Sequence, residues 1–196
     1  IYPNGRPRPN QLSSPKVAAD QINCVFFSFI QPEKGTDLII QAAKKLPHVH
    51  FHFYGELRKS YEQEFRCAVG DMNNVTYHGV FSGSTDAVYR ELGQYDVLLL
   101  PTRWKAEGLP GILVESKIAG LPAVVSDHNF NREIVSHGDD GLVIADITVN
   151  KLVSAIKELD GDRVQLLAMK YASRKSAERY YIDNYVEEVI QVLERG

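Results

Sequence analysis

Two short runs constrain the fold most: VLLL at Val97–Leu100 and AVV at Ala123–Val125 are apolar without interruption. A strand with one wet face alternates apolar and polar residues, whereas an unbroken run marks a strand covered on both faces. The same grammar recurs along the chain. Asn23–Ile30, Val49–Tyr54, Val75–His78 and Gly141–Ile144 are further strand candidates. Between them lie helical stretches: Thr36–Leu46 (apolar at Leu38, Ile39, Ala42, Ala43 and Leu46), Tyr61–Val69, Asp86–Leu92 and a helix opening near Gly111. From about Asn150 the pattern is helical only, over Asn150–Leu159, Val164–Arg179 and Asn184–Arg195. The last of these carries a narrow apolar stripe of Val186, Val189, Ile190 and Leu193. Strands alternating with helices imply right-handed crossovers. The expected class is therefore α/β: a Rossmann-like, doubly wound parallel sheet with C-terminal helices. Ligands of such sheets bind beyond the carboxyl ends of the strands.

A chain of 196 residues suits one such core. The opening IYPNGRPRPNQLSSP is rich in Pro, Asn and Ser and starts with Ile1, so residues 1–22 read as an interdomain linker and lead-in segment, and 23–196 as the folded domain of a longer protein. A net charge of −3 leaves no basic footprint, and no nucleic-acid partner is expected. No apolar run approaches the ~18 residues of a membrane span. Cys24 and Cys67 lack CxxC spacing, which favours a reduced, cytoplasmic setting, with the inner face of the membrane open to a full-length protein.

Chemistry concentrates between Leu98 and Asp127, in LLLPTRWKAEGLPGILVESKIAGLPAVVSD. The loop opens onto a helix whose first N–H groups are free and whose dipole favours an anion. Glu107 and Glu115 stand eight positions apart across that junction, and carboxylates accept hydrogen bonds from sugar hydroxyls. Gly108, Pro110 and Gly111 let a ligand approach the backbone. Phosphate donors beside hydroxyl acceptors suggest a nucleotide-sugar site.

EGLPGILVESKIAGLPAVV resembles the motif EGFGxxxxEAxAxGxPVV of retaining GT-B glycosyltransferases, matching at Glu107, Gly108, Glu115, Ala119, Gly120, Pro122, Val124 and Val125. The likeness extends to IYPNG at residues 1–5, PEKGTDLIIQAAKKL at 32–46, VTYHGVF at 75–81, YDVLLLPT at 95–102 and NFNREIVSHGDDGLVI at 129–144, all in family order. PTRWKAEGLPG looks most like transferases that build bacterial surface polysaccharides. The resemblance implies the C-terminal, donor-binding half of a GT-B enzyme. Such an enzyme moves a sugar from a UDP- or GDP-sugar to a glycan or lipid-linked acceptor with retention, without a metal or other cofactor. It also implies a missing N-terminal acceptor domain, without which this piece is inactive.

On that resemblance Glu107 and Lys34 are the catalytic pair: Glu107 touches hydroxyls of the transferred sugar, and Lys34 holds the diphosphate and steadies charge on the leaving nucleotide. Glu115 holds the ribose. Leu109, Pro110, Gly111 and Ile112 cradle the diphosphate with the N–H groups they possess, Pro110 having none. Gly55, Val80 and Phe81 frame the base. One departure stands out. The family has Gly-Arg where this chain has Ser28 and Phe29, so a second cation is wanting, with Arg103, Lys105 and Arg132 as candidates to replace it. A nucleotide-sugar epimerase of the same architecture and a non-catalytic nucleotide-sugar-binding domain are the alternatives. No GxGxxG follows the first strand, which disfavours a plain dinucleotide-binding domain.

Four further features have blander readings. His48, His50 and His52 alternate in HVHFHF and are expected on one half-covered strand face, lacking a Cys or acidic partner for a metal. Asp160–Gly161–Asp162 spells DxD but reads as a turn between helices. Trp104 precedes Glu107 and can stack on a sugar or base or pack on the domain; Tyr180, Tyr181 and Tyr185 are expected as exposed aromatics facing a missing surface.

Overall fold

The computed structural model describes residues 4–186 and Ile190. Six strands form one parallel sheet: β1 (Asn23–Phe27), β2 (His50–Tyr54), β3 (Val75–Gly79), β4 (Val97–Leu100), β5 (Ala123–Ser126) and β6 (Gly141–Ile144), in the order β3-β2-β1-β4-β5-β6. The chain winds outward from β1 to β3, crosses back, and winds the other way from β4 to β6. The topological switch point therefore lies between β1 and β4, with Cys24 opposite Val97 and Val25 opposite Leu98. All residues of β4 and β5 are buried, as unbroken apolar runs require.

The helices are α1 (Thr36–Lys45), α2 (Glu62–Val69), α3 (Thr85–Leu92), α4 (Gly111–Ala119), α5 (Asn131–Ile134), α6 (Val149–Gly161) and α7 (Arg163–Ser176). Helix α1 packs against α6, and α4 against α3 and α7. Side chains of Ser84, Thr148 and Asp162 cap α3, α6 and α7 by accepting backbone N–H bonds from Ala87, Lys151 and Gln165. Asp160–Gly161–Asp162 thus forms the α6–α7 junction: Asp162 caps, and Asp160 pairs with Arg163 at 2.6 Å and His48 at 3.2 Å.

Several expectations are corrected. The first strand stops at Phe27, and Ile30 makes only an isolated bridge to Leu57. The helix expected over Val164–Arg179 ends at Ser176 and gives way to a 3-10 turn, Ala177–Tyr180. Tyr180 and Tyr181 are buried, not exposed: the guanidiniums of Arg179 and Arg8 lie 4.8 and 4.0 Å from their ring centres. The exposed apolar residues near that end are Ile182, Val186 and Ile190. The final helix expected over Asn184–Arg195 falls largely outside the described residues, as do residues 1–3.

The described part of the lead-in segment is tied to the sheet domain. Arg6 bridges Tyr181 in strand fashion, with Arg6 N–H donating to Tyr180 O at 2.9 Å and Ile182 N–H to Arg6 O at 3.0 Å. Further along, Arg174 donates to Ser13 O at 2.5 Å, and the Ala18 N–H donates to Asp96 at 3.1 Å. Asp96 lies 3.6 Å from buried Lys170, whose pKa burial pulls down to about 8 against the pull of that carboxylate. No helix among the described residues is long and apolar enough to cross a membrane.

Candidate functional site

The carboxyl ends of β1 and β4 bring the site together. After β1 the chain forms a 3-10 turn, Pro32–Lys34, and passes through Gly35 at φ 84° before entering α1. A Cβ at Gly35 would lie 2.3 Å from Pro101 O, so the Lys-Gly pair lets this turn press directly onto the end of β4. Arg103 N–H donates to Glu33 O at 2.7 Å and fastens the two loops.

Lys34 and Glu107 meet there. The Lys34 ammonium donates to both Glu107 oxygens, at 2.8 and 2.6 Å, and both side chains are more than nine-tenths buried. Thr102 Oγ1 donates to Glu107 Oε2 at 3.0 Å, and the ring of Trp104 covers the ammonium at 4.4 Å. Trp104 thus packs over the pair while remaining 39% exposed, within reach of a ligand. The loop carrying Glu107 is pinned from β5: Asn129 Nδ2 donates to Glu107 O at 2.6 Å, and His128 Nε2 lies 2.9 Å from Trp104 O. Asn129 adopts φ 46° to do so. Neither clamp is legible in the sequence: Thr102 reaches Glu107 across a fold within one loop, and Asn129 comes from the loop after β5.

Glu115 sits in the second turn of α4, whose first turn carries no acidic residue and whose N-cap Pro110 supplies no capping side chain. Leu113 N–H turns back to Pro110 O at 3.1 Å. Leu109 and Pro110 lead into α4, and Gly111 and Ile112 open it. The Glu115 carboxylate accepts from Arg6 Nε at 3.0 Å, a contact the sequence did not announce.

The remaining predicted residues cluster at the ends of β2 and β3. Gly55 has φ 143°, and a Cβ there would come within 1.8 Å of Ser28 O, which places the β2 end hard against the loop after β1. Val80 is 67% exposed, and Phe81 lies against Phe27 (ring centres 5.6 Å) and Tyr54 (6.0 Å). Phe29, standing where the resemblance wants arginine, is 39% exposed on the same rim. Two of the three candidate replacement cations are already engaged. Arg103 is engaged by Asp37 at 2.6 Å and Pro32 O at 2.8 Å, and Arg132 pairs with Asp127.

The histidine row is only partly as expected. His48 precedes β2 and pairs with Asp160, whereas His50 and His52 stack at 4.5 Å on one half-buried face. The third member is His78 of β3, with Nε2 3.0 Å from His52 Nδ1. Burial lowers the pKa of all three, that of His52 to about 4 with help from the charges of the other two. Among the described residues no group of three His, Cys, Asp or Glu side chains could hold a metal ion.

The family model described as "Glycosyl transferases group 1" matches residues 8–176. The chain belongs to this family. The GDP-mannose-dependent alpha-(1-6)-phosphatidylinositol monomannoside mannosyltransferase of Mycobacterium tuberculosis is 28% identical over 163 residues, covering 77% of this chain and 41% of its own. The amylovoran biosynthesis glycosyltransferase AmsK of Erwinia amylovora is 24% identical over 176 residues, covering 83% of this chain and 42% of its own. The group 1 chain thus spans less than half the length of these relatives, some of which serve bacterial polysaccharide synthesis. In fold it resembles Anabaena HepE in complex with UDP, with a TM-score of 0.80 at 17% identity, over 90% of this chain and 50% of that one. The sheet and flanking helices are therefore those of GT-B glycosyltransferases. The epimerase and non-catalytic alternatives draw no support from these relatives.

Proposed function

We propose that this group 1 glycosyltransferase domain is the C-terminal, donor-binding half of a retaining GT-B enzyme. It binds a UDP- or GDP-sugar, and with an N-terminal acceptor domain passes the sugar to a glycan or lipid-linked acceptor, in bacterial surface polysaccharide synthesis, without a metal. The observation that carries this reading is the meeting of Lys34 and Glu107 at the switch point between β1 and β4, on the loop that runs on into the N-terminus of α4 and Glu115. Two of these features attract phosphate, and two accept hydroxyl hydrogen bonds. HepE, similar in fold over this whole region, is seen with UDP.

The chemistry that the arrangement can supply is electrostatic. Lys34 and the α4 N–H groups face charge that grows on a departing diphosphate, in a site where fixed donors need no reorganisation. Glu107 exchanges one of its Lys34 contacts for a sugar hydroxyl, which frees the ammonium for a phosphate oxygen. Titration of UDP, GDP, uridine and guanosine into the chain and its Lys34→Ala variant tests this. The diphosphate is expected to bind more tightly than its nucleoside and to lose roughly ten- to hundredfold in affinity in the variant, as for a charge-assisted hydrogen bond. Equal loss for nucleoside and diphosphate would remove Lys34 from the diphosphate site.

A further inference from the structure

The guanidinium of Arg6 lies over the loop-to-helix junction. Its Nε donates to Glu115, and its Nη1 donates to Asn4 Oδ1 at 2.6 Å and to Gly5 O at 3.3 Å. Asn4 in turn donates through Nδ2 to Leu109 O at 3.4 Å. The third nitrogen, Nη2, makes no hydrogen bond among the described residues. It is aimed at Gly111, where a Cβ would be only 2.3 Å away. A cation is therefore held against the positive end of α4, in space kept open by a glycine. The helix disfavours it there, since N-termini attract anions, and among the described residues Glu115 is the carboxylate that offsets it.

Arg6 is not required to hold its own segment. The backbone bridge to Tyr180 and Ile182 does that, using main-chain atoms only. What the side chain adds is a planar fork, anchored on one edge by a carboxylate and holding Nη2 against Gly111, the first residue of α4. A guanidinium and a helix N-terminus pointing at one spot are both satisfied by a group with several anionic oxygens.

We propose that Arg6 is a phosphate-binding residue, its Nη2 donating to the diphosphate of the nucleotide donor seated at α4; this rests on the donor-site reading above. Arg6 thereby supplies the second cation that Phe29 does not. The lead-in segment is then part of the nucleotide site, and Glu115 serves twice, orienting the fork through Oε1 and leaving Oε2 for a ribose hydroxyl.

The test titrates UDP, GDP and the matching nucleosides into the wild-type chain, Arg6→Ala and Arg6→Gln. The glutamine variant retains a hydrogen bond to Glu115 without the charge, and thermal melts check that each variant folds. Both variants are expected to weaken diphosphate binding roughly tenfold or more while nucleoside affinity stays within about twofold. Unchanged diphosphate binding overturns the proposal. So does equal weakening of nucleoside and diphosphate, which would make Arg6 a support for Glu115 only. Tighter binding of both would make it a competitor of the ribose, and overturns the proposal too. If the wild-type chain itself does not prefer diphosphate to nucleoside, the donor-site reading falls, and this inference with it.

Discussion

Gly35 occupies the tightest point of the site, with φ 84° and Pro101 O where a Cβ would go. Gly35→Ala combines left-handed strain with overpacking, each about 1–3 kcal/mol. A loss of roughly 2–4 kcal/mol in denaturant unfolding is expected; a loss under about 1 kcal/mol would mean that the two loops separate freely. The ion pair beside it obeys a different rule. Lys34 and Glu107 are buried together, so Glu107→Ala strands an ammonium and is expected to cost about 3–5 kcal/mol. The double variant Lys34→Met with Glu107→Leu should recover most of that loss; failure to recover would show that the polar clamp of Thr102 and Asn129, not the charge pair, fixes the loop. The residues themselves could be picked out of the chain, Lys34 through the family resemblance and the two glutamates through their spacing across the loop-to-helix junction. Their pairing could not, because contacts such as Arg6 with Glu115 join residues more than a hundred positions apart and no local pattern encodes them.

At the scale of elements, the proposed donor site makes α4 serve twice, through its N-terminus and through Glu115 one turn further in. Loss of a ribose contact weakens ground and transition states alike. Glu115→Ala is therefore expected to weaken nucleoside binding, unlike Lys34→Ala, with a further loss for the diphosphate as the Arg6 fork loses its anchor; unchanged nucleoside affinity would remove Glu115 from the ribose. The β2–β3 edge makes a pH prediction. His52 is kept neutral by burial and by His50 and His78, its pKa falling from 6.5 to about 4, and it lies beside the Tyr95 ring. A base whose folded pKa is depressed stabilises the fold above its unfolded pKa, and that contribution is lost as pH falls from about 6.5 towards about 4. His52→Thr should flatten the decline in melting temperature across that window; an unaltered decline would place the acid sensitivity elsewhere. Alternation in HVHFHF did reveal a shared face for His50 and His52. It could not reveal His78, since which strand lies beside β2 is decided by crossover packing.

Over the whole molecule, the alternation of strands with helices foretold a parallel sheet, and the continuous apolar runs marked its strands as covered on both faces. Strand order and the place of the switch point needed three dimensions. Since the chain spans less than half the length of the mycobacterial mannosyltransferase and of AmsK, it is expected to bind nucleotide but not to turn over a nucleotide-sugar with any acceptor. Steady release of nucleoside diphosphate from UDP- or GDP-sugar, dependent on an acceptor and on Lys34, would show the acceptor-side groups to be present in this chain.

The strand-like bridge between Arg6 and Tyr181 ties the two ends of the described domain together by main-chain hydrogen bonds, with Arg8 adding its pair with Glu178 and its contact with the Tyr181 ring. Such a clasp, at the margin of the core, belongs to the parts of a protein that open locally at little cost compared with global unfolding. If Arg6 grips a phosphate, nucleotide occupancy and clasp closure are two views of one equilibrium, and each must favour the other. Amide hydrogen exchange at Arg6 and Ile182 is therefore expected to slow when a nucleoside diphosphate is added and to be unmoved by the nucleoside. The clasp would then report occupancy of the site to whatever is joined to these two ends.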